Sequence, residues 1–255
     1  MKRFFAIAVV CLMFVPGVCP AGEDTLTQIS TIDALMTGVY DGETTLGELR
    51  EKGDFGLGTF NALDGEMVLL DGVFYQVKST GAVVRPALSL KTPFAAVTFF
   101  KADRTFPLKP GLTFREFIGI TDGSLPTRNI FYAFKVTGTF RAVKTRSVPA
   151  QAKPYRPLSE VVKKQPVFEY SNVRGTIVGF KCPSFVKGVN VPGYHLHFLS
   201  ADFSRGGHIL DFVVDSAKVE IDDTREFSLI LPGDSVFDKA DLEPDREKEL
   251  NAVEK

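Results

Sequence analysis

The chain contains three histidines, and all of them lie within fourteen residues: His195, His197 and His208. The first two sit in Tyr194-His195-Leu196-His197-Phe198-Leu199, the third in Gly206-Gly207-His208-Ile209-Leu210-Asp211. Side chains alternate between faces along a strand, so His195 and His197 point the same way and Leu196 and Phe198 the other. Residues 202–207 are rich in turn formers and are expected to return the chain as a second strand. His208 can then sit across from the first pair, with the register left open by sequence. Three imidazoles on one face suit zinc, a borderline-soft cation, and three protein ligands leave open positions as in a catalytic site. A single His-x-His pair is more often solvated or satisfied by hydrogen bonds in a core. The metal reading is favoured here because every histidine of the chain is drawn into one hairpin.

Other chemistry-bearing patterns are absent. No histidine pair has zinc-protease spacing, and no GxxxxGK loop occurs. Gly56-Leu57-Gly58 lacks the third glycine of a dinucleotide site. A Ser-His-Asp triad would need a histidine free of metal. Cys182 has no uncommitted base beside it and reads as a small buried apolar residue.

The elements that must position the histidines are mostly strands. Asp64-Gly65 and Asp71-Gly72 bracket a β-hairpin over Glu66–Lys78. Further strands are expected at Ala95–Phe100, Gly175–Phe180, Tyr194–Leu199, His208–Val214 and Phe227–Leu231. Ile130–Val136 and Thr139–Thr145 read as a strand pair around Gly138. Helical spacing appears at Thr45–Gly53, at Leu112–Ile120 ending by Asp122-Gly123, and at Leu158–Lys164. Pro149, Pro154, Pro157 and Pro166 make residues 149–166 the best boundary in the chain. These elements predict an α+β protein, mostly β, with two mixed-sheet domains packed together and a few short helices. The divisions are 1–21, 22–155 and 156–255, with a charged tail from Ser235.

The first of those divisions is a leader. Lys2 and Arg3 precede an apolar run from Phe4 to Val15, then Pro16-Gly17 and small residues before Ala21. This is the layout of a signal peptide, and twelve apolar residues are too few to span a bilayer core of ~30 Å. Export to periplasm or medium follows as the expectation, with no membrane attachment of the mature form. Cleavage would remove Cys11 and Cys19, leaving Cys182 and no internal disulfide. At 255 residues the chain is long enough to rest on its core. With 30 basic and 31 acidic residues there is no electrostatic footprint for nucleic acid.

The segment Asn190–Ser200, with Gly206–Asp211 after it, strongly resembles the α-acetolactate decarboxylase family. Asp54–Phe60, Leu63–Met67, Thr92–Ala95 and Ser30–Leu35 resemble further segments of that family, so the match spans nearly the whole chain after the leader. The resemblance implies a zinc enzyme, a homodimer, that converts the small molecule 2-acetolactate to acetoin and carbon dioxide. It places the zinc ligands on His195, His197 and His208. It places catalytic residues on Glu66, Arg146 and Glu254, with Arg141 competing for the arginine role. Zinc would act as a Lewis acid stabilising an enediolate, and Glu66 or Glu254 would supply the proton. Two other readings use the same histidines: a zinc-dependent hydrolase, and a non-catalytic exported zinc-binding protein.

Overall fold

Asp71 and Gly72 both take positive φ, 49° and 75°. That is the backbone a two-residue hairpin turn demands, and the strands Glu66–Leu70 and Val73–Val77 close directly onto it. The sequence-expected hairpin is therefore present. It is part of a computed structural model that describes residues 24–233 and 236–254. The leader expected over 1–21 lies outside the described residues.

In chain order the first half comprises β1 (Thr25–Ile29), α1 (Ile32–Thr37), α2 (Leu46–Arg50), β2 (Phe55–Thr59), β3 (Glu66–Leu70), β4 (Val73–Val77), β5 (Val83–Val84) and β6 (Ala95–Thr98). Then come β7 (Arg104–Leu108), α3 (Phe114–Ser124) and β8 (Phe131–Arg146). The second half holds α4 (Leu158–Val161), β9 (Val167–Cys182), β10 (Gly193–Ser200), β11 (Gly206–Thr224), β12 (Glu226–Ile230) and α5 (Glu247–Val253). Among the described residues, no helix is long and apolar enough to cross a membrane.

Local chemistry explains the helix starts. Thr45 and Thr113 each accept a bond from the backbone three residues on, while Glu48 and Glu116 reach back to the cap. Two such capping boxes fix where α2 and α3 begin. The Asp122-Gly123 pair, expected to end the second helix, lies inside it; α3 runs on to Ser124.

The strands form two sheets. A seven-stranded mixed sheet has the order β12-β1-β6-β2-β3-β4-β5, with β1 and β12 parallel. A five-stranded antiparallel sheet has the order β10-β9-β8-β11-β7. β10 also pairs with β11, so β8, β9, β10 and β11 close into a ring of pairings. Large aromatics fill the second sheet's core, Phe117, Phe134, Phe140, Phe198 and Phe212 among them.

Two sequence expectations are revised by this topology. The strand pair around Gly138 is one continuous strand, β8, running from Phe131 to Arg146. Gly138 is there for close approach rather than for a turn: a Cβ would lie 2.2 Å from the Ser216 carbonyl on β11. The proline-rich stretch 149–166 connects β8 to β9, which are neighbours in the same sheet. Neither sheet keeps to one side of it, because β7 and β8 precede it and β12 returns to β1 after it. Cys182 is buried and free, as read, and burial pushes its thiol pKa up.

Candidate metal centre and active site

The ring of strands closes at the histidines. His197 on β10 pairs directly with His208 on β11, and His208 pairs on its other side with Arg146 at the end of β8. Three expected site residues thus lie in one row across the sheet. His195 lies two residues before His197 on the same face. One ligand atom from each of the three histidines falls within 4.8 Å of the others. All three rings are buried, His197 to 1% exposure.

Glu66 arrives from the other sheet. It begins β3, opposite Thr59 on β2. Its Oε2 lies 3.5 Å from His197 Nε2, and its Oε1 lies 3.7 Å from Arg146 Nη1. Glu254 follows α5, which packs Leu250 and Val253 into the cluster of Ile32, Leu35 and Leu158. This anchoring brings Glu254 Oε2 to 3.6 Å from His208 Nε2 and its Oε1 to 3.8 Å from Arg146 Nη2. All six expected site residues therefore meet around one pocket, and all six line it. Arg141, the competing arginine, is exposed on β8 and does not line it.

The hydrogen bonds orient these groups. His197 Nδ1–H donates to the Met67 carbonyl at 2.7 Å, which leaves the Nε2 lone pair free. Arg146 Nη1 donates to Gln165 Oε1 at 3.2 Å and Nη2 to the Val253 carbonyl at 3.0 Å. Gln165 lies in the proline-rich connection and carried no signal in the sequence. Thr59 also lines the pocket and was not singled out; its hydroxyl donates to the Gly65 carbonyl at 2.7 Å.

Burial sets the charge states. It is the chief cause holding the three imidazoles well below their ordinary pKa, and the Arg146 charge adds to it. They are neutral, the form in which imidazole ligates metal. Burial pushes Glu66 and Glu254 up to about 7, with Arg146 opposing the shift in both.

Several buried atoms here have no hydrogen-bond partner: Glu66 Oε1, Arg146 Nε, His195 Nδ1, His197 Nε2 and Glu254 Oε2. Buried polar groups are ordinarily satisfied, so their convergence calls for a polar ligand or an ion. Neutral nitrogens from three imidazoles, flanked by carboxylates, form a donor set that fits zinc. At this level the fold and site define an enzyme pocket built around a three-histidine centre able to hold a metal ion.

Comparison with known proteins gives the same class a family. The profile described as alpha-acetolactate decarboxylase matches residues 26–244. An alpha-acetolactate decarboxylase from Methanosarcina mazei is 47% identical over 241 residues, covering 94% of this chain and 84% of the relative. One from Bacillus subtilis is 42% identical over 228 residues, covering 89% of each. The crystal structure of alpha-acetolactate decarboxylase from Bacillus subtilis strain 168 superposes with a TM-score of 0.89 at 42% identity, covering 90% of this chain and 99% of that one. The chain belongs to the alpha-acetolactate decarboxylase family, and it is a carboxy-lyase.

Proposed function

We propose that the protein is a zinc-dependent decarboxylase converting 2-acetolactate to acetoin and carbon dioxide, with zinc held by His195, His197 and His208. The observation that carries this reading is the convergence of unpartnered imidazole, guanidinium and carboxylate atoms on one buried pocket in a member of this family. Bound zinc supplies Lewis acidity for the negative charge that develops on the ketone oxygen as carbon dioxide leaves, worth several kcal/mol.

The chain's own residues do the rest. Arg146 meets the substrate carboxylate: its Nε–H has no protein partner, and its Nη groups are already held by Gln165 and Val253. Fixing the guanidinium this way orients the carbon–carbon bond that breaks. The electron pair of that bond moves onto the ketone oxygen, and the carbon that lost carbon dioxide then takes a proton. Glu66 or Glu254 holds that proton; each carboxyl group is buried, reaches a histidine through its Oε2 and keeps one oxygen without a hydrogen-bond partner, Oε1 in Glu66 and Oε2 in Glu254. Burial excludes water from the charge as it forms. The reading extends to export by the leader at 1–21, to periplasm or medium, and to a homodimer. The basic start and apolar run support the first, and the family resemblance supports the second.

The test is acetoin formation from racemic 2-acetolactate by the purified protein, with chelator and then with zinc restored. Activity is expected to vanish with chelator and return with zinc. Zinc binding without acetoin would leave the histidine site standing and remove the proposed reaction. A second expectation concerns the carboxyl end. Deleting residues 252–255 removes Glu254 and the Val253 carbonyl that holds Arg146, and turnover is expected to fall by about 10²-fold or more. Wild-type turnover in that truncation would remove Glu254 from the mechanism.

A further inference from the structure

The ionisable groups account for only part of the pocket. Beside Gly58 and Thr59, the rest of the lining is carbon: Ile32, Leu35, Leu63, Phe94, Val148, Leu158 and Val253, all of one buried cluster. The cavity they leave is small, about 40 Å³. A 2-hydroxy-3-keto acid presents its carboxylate, hydroxyl and ketone to the polar groups. Its alkyl substituents have only the carbon wall to meet.

Four of the wall residues come from short helices: Ile32 and Leu35 from α1, Leu158 from α4 and Val253 from α5. Leu158 begins α4 and Val253 ends α5, and the two helices pack on one another through the same cluster. Val253 is tied directly to the reacting end of the pocket, since its carbonyl accepts the Arg146 Nη2 bond. Its backbone is therefore held against the guanidinium that would hold the substrate carboxylate. Leu250, one turn earlier on α5, belongs to the same cluster but faces differently. It lines a neighbouring cavity of about 510 Å³, which shares Glu254 with the inner pocket, and does not line the inner pocket itself.

We infer that Val253 and Leu158 set the largest alkyl group the pocket accepts on the carbon bearing the hydroxyl and carboxylate. The inference rests on the proposed function and adds its specificity determinants. A removed or added methylene in an apolar pocket changes discrimination by 10-fold or more.

The test compares kcat/KM for 2-acetolactate with that for its homologue carrying ethyl in place of the methyl on the carbinol carbon. Val253→Ala and Leu158→Ala are each expected to raise the ethyl-to-methyl ratio by about tenfold. Val253→Leu is expected to lower it. Leu250→Ala is expected to reduce the melting temperature by opening the same cluster, with the ratio unchanged. The proposal falls if folded Val253→Ala keeps the wild-type ratio, or if Leu250→Ala raises the ratio as much. If Leu158→Ala does not fold, the two Val253 variants decide, because their opposite expected shifts cannot both arise from loosening. Wild-type protein that converts neither acid would strike the proposed function instead.

Discussion

A His195→Ala protein is expected to lose zinc and to form acetoin at least ~10³-fold more slowly than the wild type. The magnitude follows from the several kcal/mol that a Lewis acid contributes to charge stabilisation, at about 1.4 kcal/mol per tenfold in rate. His195 is the most informative of the three histidines to remove. Its Nδ1 has no protein hydrogen bond, whereas His197 donates to the Met67 carbonyl. Replacing His197 would leave a buried carbonyl unpaired and mix a structural loss with a chemical one. Metal content by atomic spectroscopy and acetoin formation, read on the same folded sample, check the expectation. A variant that retains zinc and full turnover would remove His195 from the metal site.

Arg146→Ala is expected to damage both function and fold. The guanidinium lies between Glu66 and Glu254, at 3.7 and 3.8 Å, with all three groups largely buried. Its removal leaves two buried carboxyl groups without their cation. The loss of stability is expected to be on the order of 3 kcal/mol, as for breaking one partner out of a buried ionic group. kcat/KM is expected to fall by about 10²-fold, since a charge-assisted contact to the carboxylate is worth ~1.5–3 kcal/mol. Arg146→Lys separates the two effects. Lysine restores the charge but not the planar fork that reaches Gln165 and the Val253 carbonyl together. It should recover stability more than activity. Denaturant titration alongside steady-state kinetics measures both, and recovery of full activity by lysine would exclude the orienting role.

The pocket also explains why its residues differed so much in how visible they were. His195, His197 and His208 could be read directly, because strand alternation and a short return loop act over fourteen residues. Glu66 and Arg146 were placed by resemblance alone; as single charges on strands they look like solvated residues. Gln165 gave no signal at all. Its role comes from the side chain it meets across the connection between β8 and β9, and no local pattern marks such a meeting. Gly138 was misread for a related reason. A glycine between two apolar runs looks like a turn, and only the closeness of β11 shows that it spares a clash.

The sequence by itself determined the local geometry: the histidine hairpin, the Glu66–Lys78 hairpin with its Asp71-Gly72 turn, the capped starts of α2 and α3, and the family pattern. Each depends on dihedral preference, side-chain alternation or a hydrogen bond spanning a few residues. The tertiary structure alone decided that β10 closes onto β11 beside β8, which lines up His197, His208 and Arg146. It alone decided that Glu66 enters from the other sheet and that α5 folds back to deliver Glu254 and Val253. Those placements depend on burying one shared apolar cluster and on pairing strands far apart in the chain. Such energies belong to the packed whole and have no counterpart in any short stretch of residues.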